Sequence, residues 1–251
     1  MSQSHQMLEM PQVEQSLAGL GFERVHTIHG SSYKDTSTVI LCPTRGTIHH
    51  RVVSAWQSMA APMNQKRAFM FCAGDEVGRA YDGMIEAILA HSELSKWKYV
   101  MTVEDDNIVP PDAHIRLLES IEASGGLDAV GGIYFTKGDL NMPMAYGDPE
   151  EFRRTGKLDF RPRDLRSAIP GNMLVEVNGI AMGCSLYRMD LFRQLPKPWF
   201  VTVSDWDPKV GTACYTQDLS FCEKAKRAGK RFAVDCRVKV GHMDVSTGVV
   251  Y

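Results

Sequence analysis

Three consecutive acids, Glu104-Asp105-Asp106, follow directly on the apolar run Tyr99 to Val103. Each carboxylate repels its neighbours, so such a cluster costs stability unless a cation offsets the charge. Hard divalent ions such as Mg²⁺ and Mn²⁺ take oxygen ligands and accept one or two carboxylates together with phosphates. In an extended segment Glu104 and Asp106 project to one side and Asp105 to the other, so an acid-x-acid pair can hold a metal and touch a ribose or phosphate. The same residues also suit a solvated acidic turn leading into a helix at Asp112. His242 lies between Gly241 and Met243 after a strand-like run. Its neutral imidazole can complete a coordination shell, or it can be a structural histidine satisfied in place. Asp218, after Thr216-Gln217, can accept a proton or complement a helix dipole. Gly179-Ile180-Ala181-Met182-Gly183 gives backbone access to a ligand, or a packed turn.

The elements that must position these residues alternate. Thr38 to Cys42 is a β-branched apolar run, a strand buried on both faces, and Ile48 to Met59 reads as a helix. Ala68 to Cys72 is a second strand, and Arg79 to Ala90 a helix with Met84, Ile85, Ile88 and Leu89 on one side. Tyr99 to Val103 is a third strand. Asp112 to Ala123 is a helix with Pro110-Pro111 ahead of it and Gly125-Gly126 behind. Asp128 to Tyr134 is a fourth strand. Strand, helix, strand, helix is the pattern of right-handed βαβ units in a mostly parallel sheet. Ligands of such sheets bind beyond the carboxyl ends of the strands. That rule points at Pro43-Thr44-Arg45-Gly46, Gly74-Asp75-Glu76 and Glu104-Asp105-Asp106.

The second half is less regular. Gly138 to Gly171 reads as loops with short edge strands, Leu174 to Val177 as a strand, and Gln217 to Ala228 as an amphipathic helix ended by Gly229. Arg231 to Val240 gives one bent strand or two short ones. Arg153, Arg154, Lys157, Arg161, Arg163 and Arg166 face only Asp159 and Asp164 within their own stretch. This is either a solvated loop or an arm gripping an anionic acceptor. Trp199-Phe200 and Trp206, beside Asp205 and Asp207, can form an aromatic platform for a sugar, and burial of Trp199 in the core is the competing reading. Residues 1–37 read as an N-terminal appendage in which Val13, Leu17 and Leu20 keep helical spacing before the Gly30-Ser31-Ser32 turn. Residues 38–251 form the main domain.

Bulk properties set bounds on these readings. The 251 residues are 44% hydrophobic and 23% charged, enough apolar material for a layered core and too much for disorder. A formal charge of −2 gives no global attraction to nucleic acid or acidic membrane. The six cysteines form no C-x-x-C pair, so they read as buried free thiols of a reducing compartment. No signal-peptide pattern opens the chain, and no apolar run approaches the about 20 residues that span a bilayer. The expectation is a soluble, cytoplasmic protein.

The order of these features resembles the GT-A glycosyltransferases, especially the family-2-like branch, over roughly Thr38 to Asp244. Glu104-Asp105-Asp106 matches the D-x-D position, with Glu for the first Asp. Gly179 to Gly183 is similar to the glycine-rich acceptor-side loop, Thr216-Gln217-Asp218 to the x-E-D motif with Gln for Glu, and His242 to the C-terminal metal-binding histidine. The resemblance implies an α/β fold with a mostly parallel central sheet flanked by helices, a nucleotide-binding half at 38–135 and an acceptor-binding half at 136–251. It implies Mn²⁺ or Mg²⁺ at Asp106 and His242, helped by Glu104, and Asp218 as the base that deprotonates an acceptor hydroxyl. Pro43, Thr44, Arg45, Asp75, Arg79, Glu104, Asp105, Gly179 and Gly183 would border the nucleoside-diphosphate sugar. The acceptor, whether glycan, lipid-linked molecule, small molecule or a hydroxylated base of DNA, stays open. Two other functions remain: a sugar-1-phosphate nucleotidyltransferase, and a non-catalytic nucleotide or carbohydrate binder.

Overall fold

The first strand, β1 (Thr38–Thr44), is buried along almost its whole length and alternates its side chains between two cores. Val39 and Leu41 enter one apolar cluster, Ile40 and Cys42 the other. A strand covered on both faces reads as a continuous apolar run, which is why TVILC is so uniform. The computed structural model describes residues 34–208 and 211–251, with backbone alone at 205–207 and 211–214. Val13, Leu17, Leu20 and the Gly30-Ser31-Ser32 turn lie outside the described residues.

After β1 come α1 (His50–Ser58), β2 (Arg67–Ala73), α2 (Val77–Ala90) and β3 (Tyr99–Val103). Next are β4 (Asn107–Ile108), α3 (Ala113–Ala123) and β5 (Ala129–Ile133). These bounds lie close to the sequence expectations. A central sheet has the order β2-β1-β3-β9-β5-β12-β7, in which β7 is Leu174–Val177, β9 Cys184–Arg188 and β12 Phe232–Lys239. β1 pairs in parallel with β2 and β3, and β5 with β12. β9 runs antiparallel between β3 and β5, and β7 is an antiparallel edge. Five of the seven strands therefore point one way, a mixed α/β architecture with a mostly parallel sheet as expected. One face is covered by Tyr81, Ile85 and Ile88 of α2 and by Phe221 and Ala225 of α6 (Gln217–Arg227). The other is covered by Val52 and Trp56 of α1 and by Leu117 and Ile121 of α3.

The second half holds more structure than its sequence suggests. Within Gly138 to Gly171 lie β6 (Ala145–Tyr146) and α4 (Pro149–Thr155). The α4 signals are local: Asp148 accepts from the Glu150 N–H, Pro149 takes the first turn, and Gly156 closes it at φ 70°. β8 (Gly179–Ile180) pairs with β6. β9 went unforeseen because no crossover helix announces it, and α5 (Met189–Gln194) follows it without a break. β10 (Val203–Asp207) and β11 (Gly211–Tyr215) form a hairpin. β12 is one strand with a register irregularity between Asp235 and Lys239. β13 (Gly241–His242) closes onto β4.

Asp35–Tyr251 form one compact unit. Among the described residues, no helix is long and apolar enough to cross a membrane. Cys42, Cys72, Cys184, Cys222 and Cys236 are free thiols, and burial pushes Cys184 up to about 12 and Cys236 up to about 11. The Cys214 side chain lies outside the described set.

Candidate functional site

The carboxyl ends of β2, β1 and β3 lie side by side, as parallel pairing to a common neighbour requires. Their loops and the start of α6 enclose a cavity of about 380 Å³ lined by Pro43, Thr44, Arg45, Gly74, Asp75, Val77, Glu104, Asp105, Asp106 and Gln217. The strand-end rule thus locates the cleft from sequence alone. The backbone N–H of Arg45 donates to Asp105 Oδ2 at 3.2 Å, tying the β1 loop to the acidic turn. Gly74 N–H donates to Thr44 O at 3.0 Å, tying it to the β2 loop as well. A Cβ on Gly78 would come within 2.9 Å of Phe200 O and 3.4 Å of Gln217 Cβ, so glycine lets the start of α2 approach α6.

Asp106 and His242 meet at the edge of this cleft. β13 pairs antiparallel with β4, setting His242 opposite Asn107, and the Met243 N–H donates to Asp106 O at 2.8 Å. His242 Nε2 lies 3.7 Å from Asp106 Oδ2, and its Nδ1 is 2.8 Å from Phe135 O. The Tyr134 ring packs edge-on against the imidazole, with centroids 5.4 Å apart. A third group completes the cluster: Lys137 Nζ is 2.5 Å from the same Asp106 Oδ2. Burial alone would raise the Asp106 carboxyl, but His242 and Lys137 more than reverse it, holding it below the ordinary carboxylate range. Lys137 was missed by sequence reasoning. It follows the fourth strand, so the strand-end rule would have found it had the rule been applied there.

Glu104 has the opposite electrostatics. Burial first, then repulsion from Asp106, Asp218 and Asp105, pushes its carboxyl up to about 8, with Lys137 pulling the other way. The acidic turn is thus short of positive charge. Asp218 is buried at 8% exposure. That burial raises its carboxyl although Thr216 and the Leu219 N–H, at 2.9 Å, stabilise the anion. Its charge is felt at Glu104 and Tyr134, but Gln217 lines the cavity wall and Asp218 does not.

Other expected residues fall outside the cavity. Arg79 is 76% exposed and pairs with Asp75 at 2.5 Å, one helical turn back. Gly183 is a packing glycine: a Cβ there would meet Asn107 Oδ1 at 2.5 Å and the Tyr134 hydroxyl at 2.7 Å. Its N–H donates to Tyr134 Oη at 2.8 Å. Gly179 sits against the Phe160 ring, 2.9 Å from where its Cβ would be. Trp199 and Phe200 belong to the core at 1% and 3% exposure, with Trp199 Nε1–H donating to Leu195 O, so they form no sugar platform. The Trp206 side chain lies outside the described set.

The basic stretch is not a basic patch. Arg163 pairs with Asp148 at 2.9 Å, Arg161 with Asp159 at 3.0 Å and Glu151 at 3.7 Å, and Arg166 with Asp164 at 2.5 Å. Arg153 reaches Glu176 at 3.8 Å. Asp148, Glu151 and Glu176 come from outside the stretch, so the local excess of positive charge largely disappears.

For a divalent cation, the donor set here is one carboxylate and one imidazole. A carbonyl oxygen only accepts, so the Phe135 contact keeps a proton on Nδ1 and leaves Nε2 turned toward Asp106, where it donates when the ring is charged and offers a lone pair to a cation when it is neutral. Among the described residues, no three His, Cys, Asp or Glu side chains converge to hold a metal. Two protein donors suit Mg²⁺ or Mn²⁺ bound with phosphates and water, so the residues fit an ion shared with an anionic ligand.

No protein-family profile and no curated protein matches the chain. Among solved structures, the crystal structure of A197 from STIV is similar, with a TM-score of 0.56 over 82% of this chain and 85% of that chain at 14% identity. At that identity the likeness establishes a shared α/β fold and carries no chemistry with it.

Proposed function

We propose that the protein transfers a sugar from a nucleoside-diphosphate sugar to an acceptor hydroxyl, with Mn²⁺ or Mg²⁺ held by Asp106 and His242. The observation that carries this reading is the 3.7 Å approach of Asp106 and His242 beside a cleft built from three strand ends. A volume of about 380 Å³ falls within the usual range of ligand pockets.

In this reading Thr44, Arg45, Asp75 and Asp105 border the nucleotide. Glu104 approaches the ribose or the water around the ion. The bound cation would supply neutralisation of the diphosphate. The acceptor oxygen bonds to the anomeric carbon, the carbon–oxygen bond to phosphate breaks, and the nucleoside diphosphate leaves with that electron pair. Asp218 takes the acceptor proton, a role that its raised proton affinity favours. Arg79, Gly179 and Gly183 keep no direct part. DNA as acceptor gains no support from the neutralised basic stretch, which leaves glycan, lipid-linked and small-molecule acceptors.

The test is a thermal-shift screen of nucleotide sugars with and without Mn²⁺, followed by donor hydrolysis. Stabilisation that needs both ligands, and that Asp106→Ala erases, supports the proposal. Pyrophosphate release from a sugar phosphate and a nucleoside triphosphate would support the nucleotidyltransferase instead. Stabilisation without hydrolysis or transfer would mark a binder.

A further inference from the structure

We propose that Lys137 is a built-in stand-in for the divalent cation, an ammonium that must leave Asp106 before an ion can bind there. The proposal rests on the reading of Asp106 and His242 as the cation's ligands. Its basis is competition for one atom. Lys137 Nζ lies 2.5 Å from Asp106 Oδ2, and the same oxygen faces His242 Nε2 at 3.7 Å. Both groups converge on this one carboxylate oxygen, and the Lys137 ammonium is the closer of the two. A divalent ion held by Asp106 and His242 would compete with that ammonium for the same carboxylate, and like charges in a half-shielded site repel strongly. The side chains of Asp106 and His242 are 15% and 14% exposed, so water screens the pair only partly.

The placement of Lys137 permits the exchange. Its segment closes on itself: Thr136 N–H donates to Met142 O at 2.8 Å, and Met142 N–H donates to Thr136 Oγ1 at 2.9 Å. Gly138 at φ 88° and Asn141 at φ 42° turn the chain between them. The loop is therefore held without the Lys137 side chain, which is 33% exposed and reaches Asp106 by its own flexible stem. Rotation of that stem clears the oxygen and leaves the backbone bonds intact. Lysine suits such a role better than arginine, being a compact point charge without a planar fork that would lock onto the carboxylate through two bonds.

The experiment titrates the full chain with Mn²⁺ alone and follows free Mn²⁺ by electron paramagnetic resonance. Lys137→Met and Lys137→Gln should lower the Mn²⁺ Kd about tenfold or more, Lys137→Arg should keep it near or above wild type, and Asp106→Asn should abolish binding. Circular dichroism and Tm identify any variant that misfolds, and the Gln and Arg variants then carry the comparison. Unchanged or weaker binding in the Met and Gln variants, with Asp106→Asn still unable to bind Mn²⁺, overturns the stand-in role and leaves the cation site in place. Binding unaffected by Asp106→Asn, or no binding by any form, overturns the cation site and this proposal with it.

Discussion

Nε2 of His242 faces Oδ2 of Asp106 across 3.7 Å, while Nδ1 of the same ring is anchored at 2.8 Å to the carbonyl oxygen of Phe135. The anchor fixes both tautomer and ring orientation, as outer contacts do for metal-binding histidines. His242→Ala should therefore weaken Mn²⁺ binding at least about tenfold with little change in fold. Calorimetric titration of Mn²⁺ checks this, and an unchanged affinity would remove His242 from the site.

Asp218→Asn keeps the size of the side chain and removes its ability to take a proton. The expected result is a fall in kcat for transfer of about 10²–10⁴-fold, with donor affinity nearly unchanged. Parallel loss of donor binding would show that Asp218 supports the cleft and does not act on the acceptor.

Gly183→Ala should destabilise the protein by about 1–3 kcal/mol, because the new methyl would meet Asn107 and the Tyr134 hydroxyl well inside contact distance. Urea denaturation measures the change. A loss under about 0.5 kcal/mol would mean that the turn after β3 yields easily.

His114 gives the fold an acid sensitivity. The Thr38 hydroxyl donates to Thr36 O at 2.8 Å, so it accepts from His114 Nε2 at 3.0 Å, and buried Nδ1 has no partner among the described residues for a second proton. Burial, then the Arg67 charge, lowers the imidazole from its ordinary 6.5 to about 4. Between those values the unfolded chain binds the extra proton and the folded one does not. Stability is therefore lost as pH falls from about 6.5 toward 4, by an amount of order 3 kcal/mol, and levels off below. His114→Gln should flatten that part of a stability–pH curve, and a slope that survives the substitution would assign it to other groups.

Arg161 and Arg163 already have carboxylate partners. Replacing both with Gln should change stability by less than about 1 kcal/mol and leave affinity for duplex DNA unaltered across a salt series. A steep salt dependence that vanishes with these two charges would restore the anionic arm.

The β1, α1, β2, α2, β3, α3, β5 progression was legible because it is written locally. Apolar runs of strand length, amphipathic helices and glycine or proline stops each arise within a few residues. The cleft at Thr44, Asp75 and Glu104-Asp105-Asp106 followed, because parallel strands bring their carboxyl ends to one side. α4 carried an equally local signal in Asp148-Pro149 and Gly156, hidden by its polar surroundings.

Long-range pairing set the rest. The insertion of β9 between β3 and β5 depends on which neighbour best buries Cys184, Leu186 and Tyr187, a comparison among whole packings that no short window contains. The order of strands then determines which loops become neighbours, and so it is β13 on β4 that carries His242 to Asp106, with Lys137 arriving from the end of β5. Glu176, distant along the chain from Arg153, is brought beside it in the same way. Residue types and periodicity suffice to foresee the elements and the acidic strand end. Charge balance at each carboxylate is a sum over spatial neighbours, and those exist only once the sheet is assembled.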